Sequence, residues 1–208
     1  MRIGVMGGTF DPIHLGHLVT AEAVRYHFGL QQVVFVPTGR PPHKEGLEVS
    51  SAEHRYIMTF LAVVSNPAFS ISRVEIDRPG YSYTFDTMLA LREVYGADSE
   101  LFFITGADVM RDITTWHRSE ALLSLCHFVA ASRPGYTLRD YMAQTDLERF
   151  RRNGHIHLIE VPAMAISSTD LRRRVRMREP IRYLVPEAVE NYIHEQELYL
   201  QRTVAQSP

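Results

Sequence analysis

Cysteine is nearly missing, for Cys126 stands alone in 208 residues. A single thiol excludes an internal disulfide and any zinc site built on cysteines. Near Leu125 and Phe128, it reads as a small core residue. No apolar run approaches the ~18 residues of a membrane span. The N-terminus offers one charge and then glycines, so no signal peptide is read there. Internal repeats, low-complexity tracts and linker-like stretches are absent as well. The net charge of −2 argues against general affinity for nucleic acid. These absences together lead us to expect a soluble cytoplasmic protein with no membrane or nucleic-acid partner. What remains is ordinary for a globular chain, 45% hydrophobic and 22% charged, and its length suits one domain over residues 1–208.

The informative stretch is the first seventeen residues. Arg2-Ile3-Gly4-Val5-Met6 reads as a buried parallel strand. Gly7-Gly8-Thr9-Phe10-Asp11-Pro12 is a turn cluster, and a helical run opens at His14. A strand, a glycine turn and a helix N-terminus in succession suit phosphate, because glycines let backbone approach a ligand and the first helical N–H groups are unpaired. His14 and His17 are three residues apart, so they share a helix face beside that site, although two surface histidines at a helix start are the plainer alternative. A neutral imidazole donates a hydrogen bond to phosphate, and a protonated one adds charge.

Downstream, Gly29 is the expected C-cap of the first helix, and Gln32–Pro37 is a second buried strand. This β-helix-β spacing predicts a right-handed crossover and a parallel sheet. Residues 38–50 form a Pro- and Gly-rich loop holding Arg40 and Lys44, which either face the histidine rim or are simply solvated. Ser51 is a predicted N-cap for a helix running to Val64, and Phe69–Ile76 alternates as a strand with one wet face. A helix carrying Met88, Leu89, Leu91 and Val94 ends at Gly96. Leu101–Thr105 is a buried strand with Gly106 and Asp108 at its C-terminal end. A carboxylate there suits a ribose hydroxyl, or else it caps the short helix at 109–113. Trp116, the only tryptophan, on the following connection, is either an ordinary core residue or, at the site rim, a flat stacking face. His127–Ser132 and His155–Val161 are further strands, Arg133 follows the first of them, and 138–150 can be helical.

A second anion site comes late. Ser167, Ser168 and Thr169 can cap a helix and bind an anion, with Arg172 placed in its first turn. A cation there conflicts with the helix dipole unless an anion is near, although a solvated arginine face is the plainer alternative. Ile181–Tyr199 is expected to close the chain as an amphipathic helix after Pro186. The whole predicts an α/β fold: a Rossmann-like open parallel sheet with helices on both faces, and a C-terminal helical part at about 167–200 carrying the second phosphate motif.

Residues 8–17 resemble the GTFDPxHxGH signature of the nucleotidylyltransferase superfamily at every position, and 166–172 resemble its ISSTxxR motif. Over essentially its whole length the chain is similar to the bacterial nicotinate-nucleotide adenylyltransferases. The supporting segments are Pro41–Lys44, Ser82–Thr84, Gly106–Asp108 with Trp116, Arg133–Tyr136 and Tyr183–Glu187. The resemblance implies adenylyl transfer from ATP to nicotinate mononucleotide, giving deamido-NAD and pyrophosphate in NAD biosynthesis. It implies ATP contacts at Gly7, Gly8, Thr9, Phe10, His14, His17, Gly106, Asp108, Ser167, Ser168, Thr169 and Arg172, of which His14, His17 and Arg172 are catalytic. It implies acceptor contacts at Asp11, Lys44, Thr84, Trp116, His117 and Arg133. The tryptophan would stack on the nicotinate ring, and backbone N–H groups at Thr84 and His117 would receive its carboxylate. His117 stands where other members carry an aromatic such as tyrosine, a change that a backbone contact tolerates. Mg²⁺ is expected through the substrate phosphates, with no dedicated metal ligands in the chain. A homo-oligomer is compatible with the sequence.

The rival readings are narrower. Pantetheine-phosphate adenylyltransferases resemble both motifs but usually have Thr or Ser at the position of His14, and they lack the segments around Trp116 and Arg133. A dual nicotinate/nicotinamide specificity keeps the same residues. Cytidylyltransferases share the HxGH element and differ in the late serine motif; a tRNA synthetase of the HIGH type would be much longer. Outside enzymes, the alternatives are an inactive nucleotide sensor or a histidine metal module, the latter because the chain has ten histidines.

Overall fold

The computed structural model describes residues 1–41, 49–132, 147–162 and 164–200. Six strands form one sheet: β1 (Arg2–Gly8), β2 (Gln32–Pro37), β3 (Phe69–Ile71), β4 (Glu100–Gly106), β5 (His127–Ser132) and β6 (Ile156–Glu160). Their order is β3-β2-β1-β4-β5-β6, and every neighbouring pair is parallel. The helices are α1 (Leu15–Phe28), α2 (Ala52–Val63), α3 (Thr84–Tyr95), α4 (Ser119–Leu125), α5 (Leu147–Arg152), α6 (Ser168–Arg176) and α7 (Glu187–Glu195). The expected Rossmann-like α/β architecture is the one observed.

Alternation along the strands divides the core in two. Met6, Phe35, Phe102, Ile104 and Val129 pack under α1, α2, α6 and α7. Ile3, Val5, Leu101, Phe103 and Phe128 face α3, α4 and α5. A sheet with helices on both faces must bury both sides of each strand, which is why these strands are continuous apolar runs. Because β1 is flanked by β2 on one side and β4 on the other, the strand order reverses direction there. In open parallel sheets ligands bind at such a switch point, beyond the carboxyl ends of the strands.

Local signals account for some of the ends. Gly29 closes α1 in the left-handed region at φ 60°. The Ser51 hydroxyl accepts the N–H of His54 at 3.2 Å and caps α2. Cys126 is buried, and burial pushes its thiol up to about 12, so it is an inert core residue.

Two elements differ from expectation, and a third is described only in part. The strand expected over 69–76 stops at Ile71, and the chain turns so that Glu75 is buried and accepts the Thr87 hydroxyl at 2.7 Å. Burial raises the proton affinity of that carboxyl. The helix expected after Pro186 starts at Glu187 but ends at Glu195 rather than reaching Tyr199, because the chain turns through positive φ at Glu197, 50°. The helix expected over 138–150 is described only from Leu147, and its earlier part lies outside the described residues. No helix among the described residues is long and apolar enough to cross a membrane.

Candidate active site

The chain leaves β1 through Gly8, where a Cβ would stand 2.8 Å from the Phe10 ring. Phe10 takes the left-handed φ of 50° and tucks that ring into the core, 3% exposed and edge-on to His17 at 5.2 Å. The carbonyls of the loop are then held from behind. Arg55 Nη1 donates to Thr9 O at 2.8 Å, Arg172 Nη1 to Asp11 O at 2.7 Å and Ser168 Oγ to Pro12 O at 2.8 Å. The loop between β1 and α1 is thus braced by two helices distant in sequence.

α1 begins one residue later than expected, with His14 as its N-cap. The His14 N–H donates to Nδ1 of His17 at 3.2 Å, and the two rings stack at 3.7 Å and 24°. An Nδ1 that accepts carries no proton, so the neutral His17 ring bears its N–H on Nε2. Burial pushes His14 down to about 4 and His17 down to about 3, His14 adding a Coulombic contribution to the latter. Both rings are therefore neutral near pH 7. Nδ1 of His14 is buried without a partner among the described residues. In the first turn of α1, Leu15 N–H goes to Leu184 O at 3.0 Å and His17 N–H to His14 O at 3.0 Å. The Gly16 N–H between them has no partner among the described residues. A Cβ at Gly16 would sit 3.1 Å from His14 Nδ1, so only glycine lets the ring lie there undisturbed.

These groups open onto a cavity of about 670 Å³ at the carboxyl ends of β1, β4 and β5. Gly7, His14, Gly16, His17 and Thr20 line one side, and Ser167 and Ser168 of the α6 N-terminus another. Gly106, Ala107 and Asp108 line the β4 end, and Met6, Ile104, Val161 and Ile166 supply apolar wall. Asp108 makes no side-chain capping bond to the 3₁₀ turn that follows it, which leaves its carboxylate to the cavity. A Cβ at Gly106 would lie 2.5 Å from Asp108 Oδ1, so this glycine makes room for the carboxylate.

The second motif is placed beside the first. Ser167 Oγ accepts the N–H of Asp170 at 3.2 Å and caps α6. Arg172 lies beyond the first turn of α6, contrary to the sequence expectation, because the helix starts at Ser168. Its guanidinium reaches back to Asp11 O, and to Thr169 Oγ1 at 3.4 Å, so it ties the two motifs together. Thr169 and Arg172 do not line the cavity.

Other expected residues are placed differently. Trp116 is half-buried and edge-on to Phe103 at 6.1 Å. It lines a second, shallower cavity of about 480 Å³ with Phe85 and Arg118. Thr84 is the first residue of α3, where backbone N–H groups have no helical partner. His117 packs its ring on Tyr83 at 4.6 Å. The Asp11 carboxylate faces inward, 3% exposed, accepting from Tyr199 Oη at 2.8 Å and Ser50 N–H at 3.3 Å. Its side chain is thus a structural clamp, which departs from the expected acceptor contact. Lys44 and Arg133 lie outside the described residues.

Sequence reasoning missed Arg55, which is 2% exposed. It donates to the carbonyls of Ser50, Thr9 and Gly39 at 3.0, 2.8 and 3.1 Å, joining three loops. Burial lowers its proton affinity, and Asp11 offsets that. An arginine within a helix looks solvated in sequence, and no local signal marks this one. Thr20, one turn past His17, and Tyr199 were also unmarked.

The sheet order and this cavity define an α/β protein of the Rossmann-like class, with two helix N-termini at a cavity beyond the carboxyl ends of its strands. The family model described as cytidylyltransferase-like matches residues 5–174, and the chain belongs to that family. It is 56% identical over 201 residues to a protein of Moorella thermoacetica named "Probable nicotinate-nucleotide adenylyltransferase", covering 97% of this chain and 93% of that one. A protein of Thermoanaerobacter sp. with the same name is 51% identical over 201 residues, covering 96% and 94%. The solved structure of Plasmodium falciparum nicotinic acid mononucleotide adenylyltransferase complexed with NaAD shares the fold, with TM-score 0.76 and 19% identity over 95% of this chain and 97% of that one.

Proposed function

We propose that the protein transfers the adenylyl group of ATP to nicotinate mononucleotide, forming deamido-NAD and releasing pyrophosphate. The observation that carries this reading is the juxtaposition of two neutral imidazoles with the capped N-terminus of α6 across one cavity, in a chain 56% identical to a relative named for this reaction. A 5′-phosphate oxygen of the mononucleotide attacks the α-phosphorus of ATP, and the bond to the β,γ-pyrophosphate breaks. The attacking oxygen is already anionic, so no general base is needed, and catalysis becomes positioning and charge stabilisation.

In this assignment His17 Nε2–H and the His14 ring donate to the triphosphate, with His17 nearest the reacting phosphorus. Gly7, Gly8, Thr9 and Phe10 supply loop backbone. Ser167, Ser168, Thr169 and Arg172 hold the departing pyrophosphate. Gly106 and Asp108 receive the adenosine. Trp116 stacks on the nicotinate ring, and backbone N–H groups at Thr84 and His117 take its carboxylate. Lys44 and Arg133 are assigned to the incoming phosphate. Among the described residues no group of three or more His, Cys, Asp or Glu side chains could hold a metal. Mg²⁺ arriving on the triphosphate would supply charge neutralisation.

The test is pyrophosphate release with ATP, Mg²⁺ and, in parallel, nicotinate mononucleotide, its amide analogue and phosphopantetheine. Strong release with the acid and weak release with the amide is expected. Equal rates would widen the substrate to both mononucleotides. Release with phosphopantetheine alone would overturn the assignment, and ATP binding without release from any acceptor would favour a nucleotide sensor.

A further inference from the structure

We infer that Tyr199, far from the cavity in sequence, is a positioning residue for the phosphate site and acts through Asp11. Asp11 is fixed at both ends. Its carboxylate holds the Tyr199 hydroxyl at 2.8 Å and the Ser50 N–H at 3.3 Å, while its backbone carbonyl is held by Arg172 at 2.7 Å. Three residues on stands His14. The carboxylate therefore anchors the segment that sets where the imidazole pair sits.

The chain takes an unusual route to bring Tyr199 there. After α7, Glu197 and Tyr199 both adopt left-handed φ, 50° and 67°, a region non-glycine residues seldom occupy. Strain of that kind persists only where surrounding contacts enforce it. Here Leu198 N–H closes onto Ile193 O at 3.0 Å, and the Tyr199 hydroxyl lies 3.8 Å from Met58 Sδ as well as on Asp11. Burial and the adjacent carboxylate both raise the phenol's proton affinity, so it remains a donor at any working pH. The result is a strap: α7 and the turn after it fasten the phosphate loop to α2.

This strap has an internal control. Tyr192, on α7, makes a similar contact, its hydroxyl lying 2.8 Å from His54 Nδ1 of α2. That contact joins the same elements without touching the phosphate loop. If α7 merely contributes stability, both hydroxyls matter alike; if Tyr199 positions the loop, only one affects ATP.

The inference rests on the ATP site of the proposed function but not on the identity of the acceptor. The experiment compares Tyr199→Phe and Tyr192→Phe with the full-length parent by ATP titration calorimetry, steady-state kinetics and thermal melting. Misplaced reacting groups lose up to about 100-fold, so the loss of one anchoring hydroxyl is expected to weaken ATP binding and lower kcat by about 5–10-fold in Tyr199→Phe. The acceptor KM is expected to stay within about twofold, because the Tyr199 hydroxyl meets the site through Asp11 of the phosphate loop. Tyr192→Phe is expected to melt earlier with ATP affinity and kcat within about twofold of the parent. Parent-like ATP affinity and kcat in Tyr199→Phe would overturn the proposal, as would equal losses in the two variants. Should nicotinate mononucleotide prove not to be the acceptor, the calorimetric arm still decides the matter.

Discussion

His14 gives its backbone N–H to Nδ1 of His17 at 3.2 Å while the two rings stack 3.7 Å apart. One bond fixes a tautomer, and the stacking fixes a direction. The pair is built as neutral N–H donors held beside a helix N-terminus, rather than as two cations that would repel each other in the same cavity. In the proposed reaction a triphosphate in that cavity would meet donors already oriented, which need no reorganisation as charge shifts in the transition state.

His17 is therefore expected to matter to rate far more than to folding. Removing one preorganised donor from a developing oxyanion typically loses 100- to 1,000-fold in turnover, about 3–4 kcal/mol. His17→Ala should lower kcat by at least ~100-fold with a retained cooperative melt. The check is pyrophosphate release alongside thermal unfolding, and near-normal turnover would remove His17 from the mechanism.

The same burial predicts how stability depends on pH. The folded-state pKa values of His14 and His17, about 4 and about 3, lie below the usual 6.5. Below pH 6.5 the unfolded chain binds protons that the folded chain refuses, so acid favours unfolding. Their contribution is complete above pH 6.5 and declines as pH falls toward 4, by about 1.4 kcal/mol per pH unit for each ring. Urea midpoints should fall from pH 7 to pH 5, and His17→Asn should reduce that slope by about one proton. A midpoint unchanged across the window would mean that the rings are not buried neutral.

The β1–loop–α1 unit was legible in the sequence because each part has a local cause. A buried parallel strand is a run of apolar residues, a backbone approach needs glycine, and a helix start needs unpaired N–H groups. The second motif was legible for the same reason, as a run of hydroxyls at a helix start. What escaped were contacts between segments distant in sequence. The alternation of residues 69–76 reads as a strand, yet Glu75 turns inward to meet Thr87. Asp11 reads as a ligand contact from its motif, but its carboxylate is spent on Tyr199 and Ser50, nearly 190 and 40 residues away. Arg55 has the pattern of any helical arginine until the loops it joins are folded around it.

Gly16 separates activity from stability in the opposite sense to a core mutation. Alanine is the better helix former by about 1 kcal/mol in a helix interior, so Gly16→Ala is not expected to lower the melting temperature much. Its Cβ would nevertheless press on the His14 ring, at 3.1 Å from Nδ1 and 3.2 Å from Cε1. The ring must move by a few tenths of an ångström, and its neighbour His17 moves with it. About a tenfold fall in kcat at near-parental melting temperature is expected; unchanged kinetics would show that the imidazole position is not critical at this scale.

Arg55 is the converse case, a residue expected to hold the fold of the site without touching ligand. Its guanidinium satisfies three carbonyls, on Ser50, Thr9 and Gly39, and offers the buried Asp11 carboxylate a nearby positive charge. Arg55→Met fills the space but leaves those carbonyls unpaired and the carboxylate uncompensated. Losing one partner from such a buried arrangement typically destabilises by about 3–5 kcal/mol. Arg55→Lys should rescue little, because one ammonium on a flexible stem does not span three acceptors fixed by a planar fork. Urea unfolding of both variants checks this, and Asp11→Asn in the Arg55→Met background sharpens it. If the uncompensated carboxylate carries part of the loss, neutralising it should recover stability. No recovery would assign the whole loss to the three orphaned carbonyls.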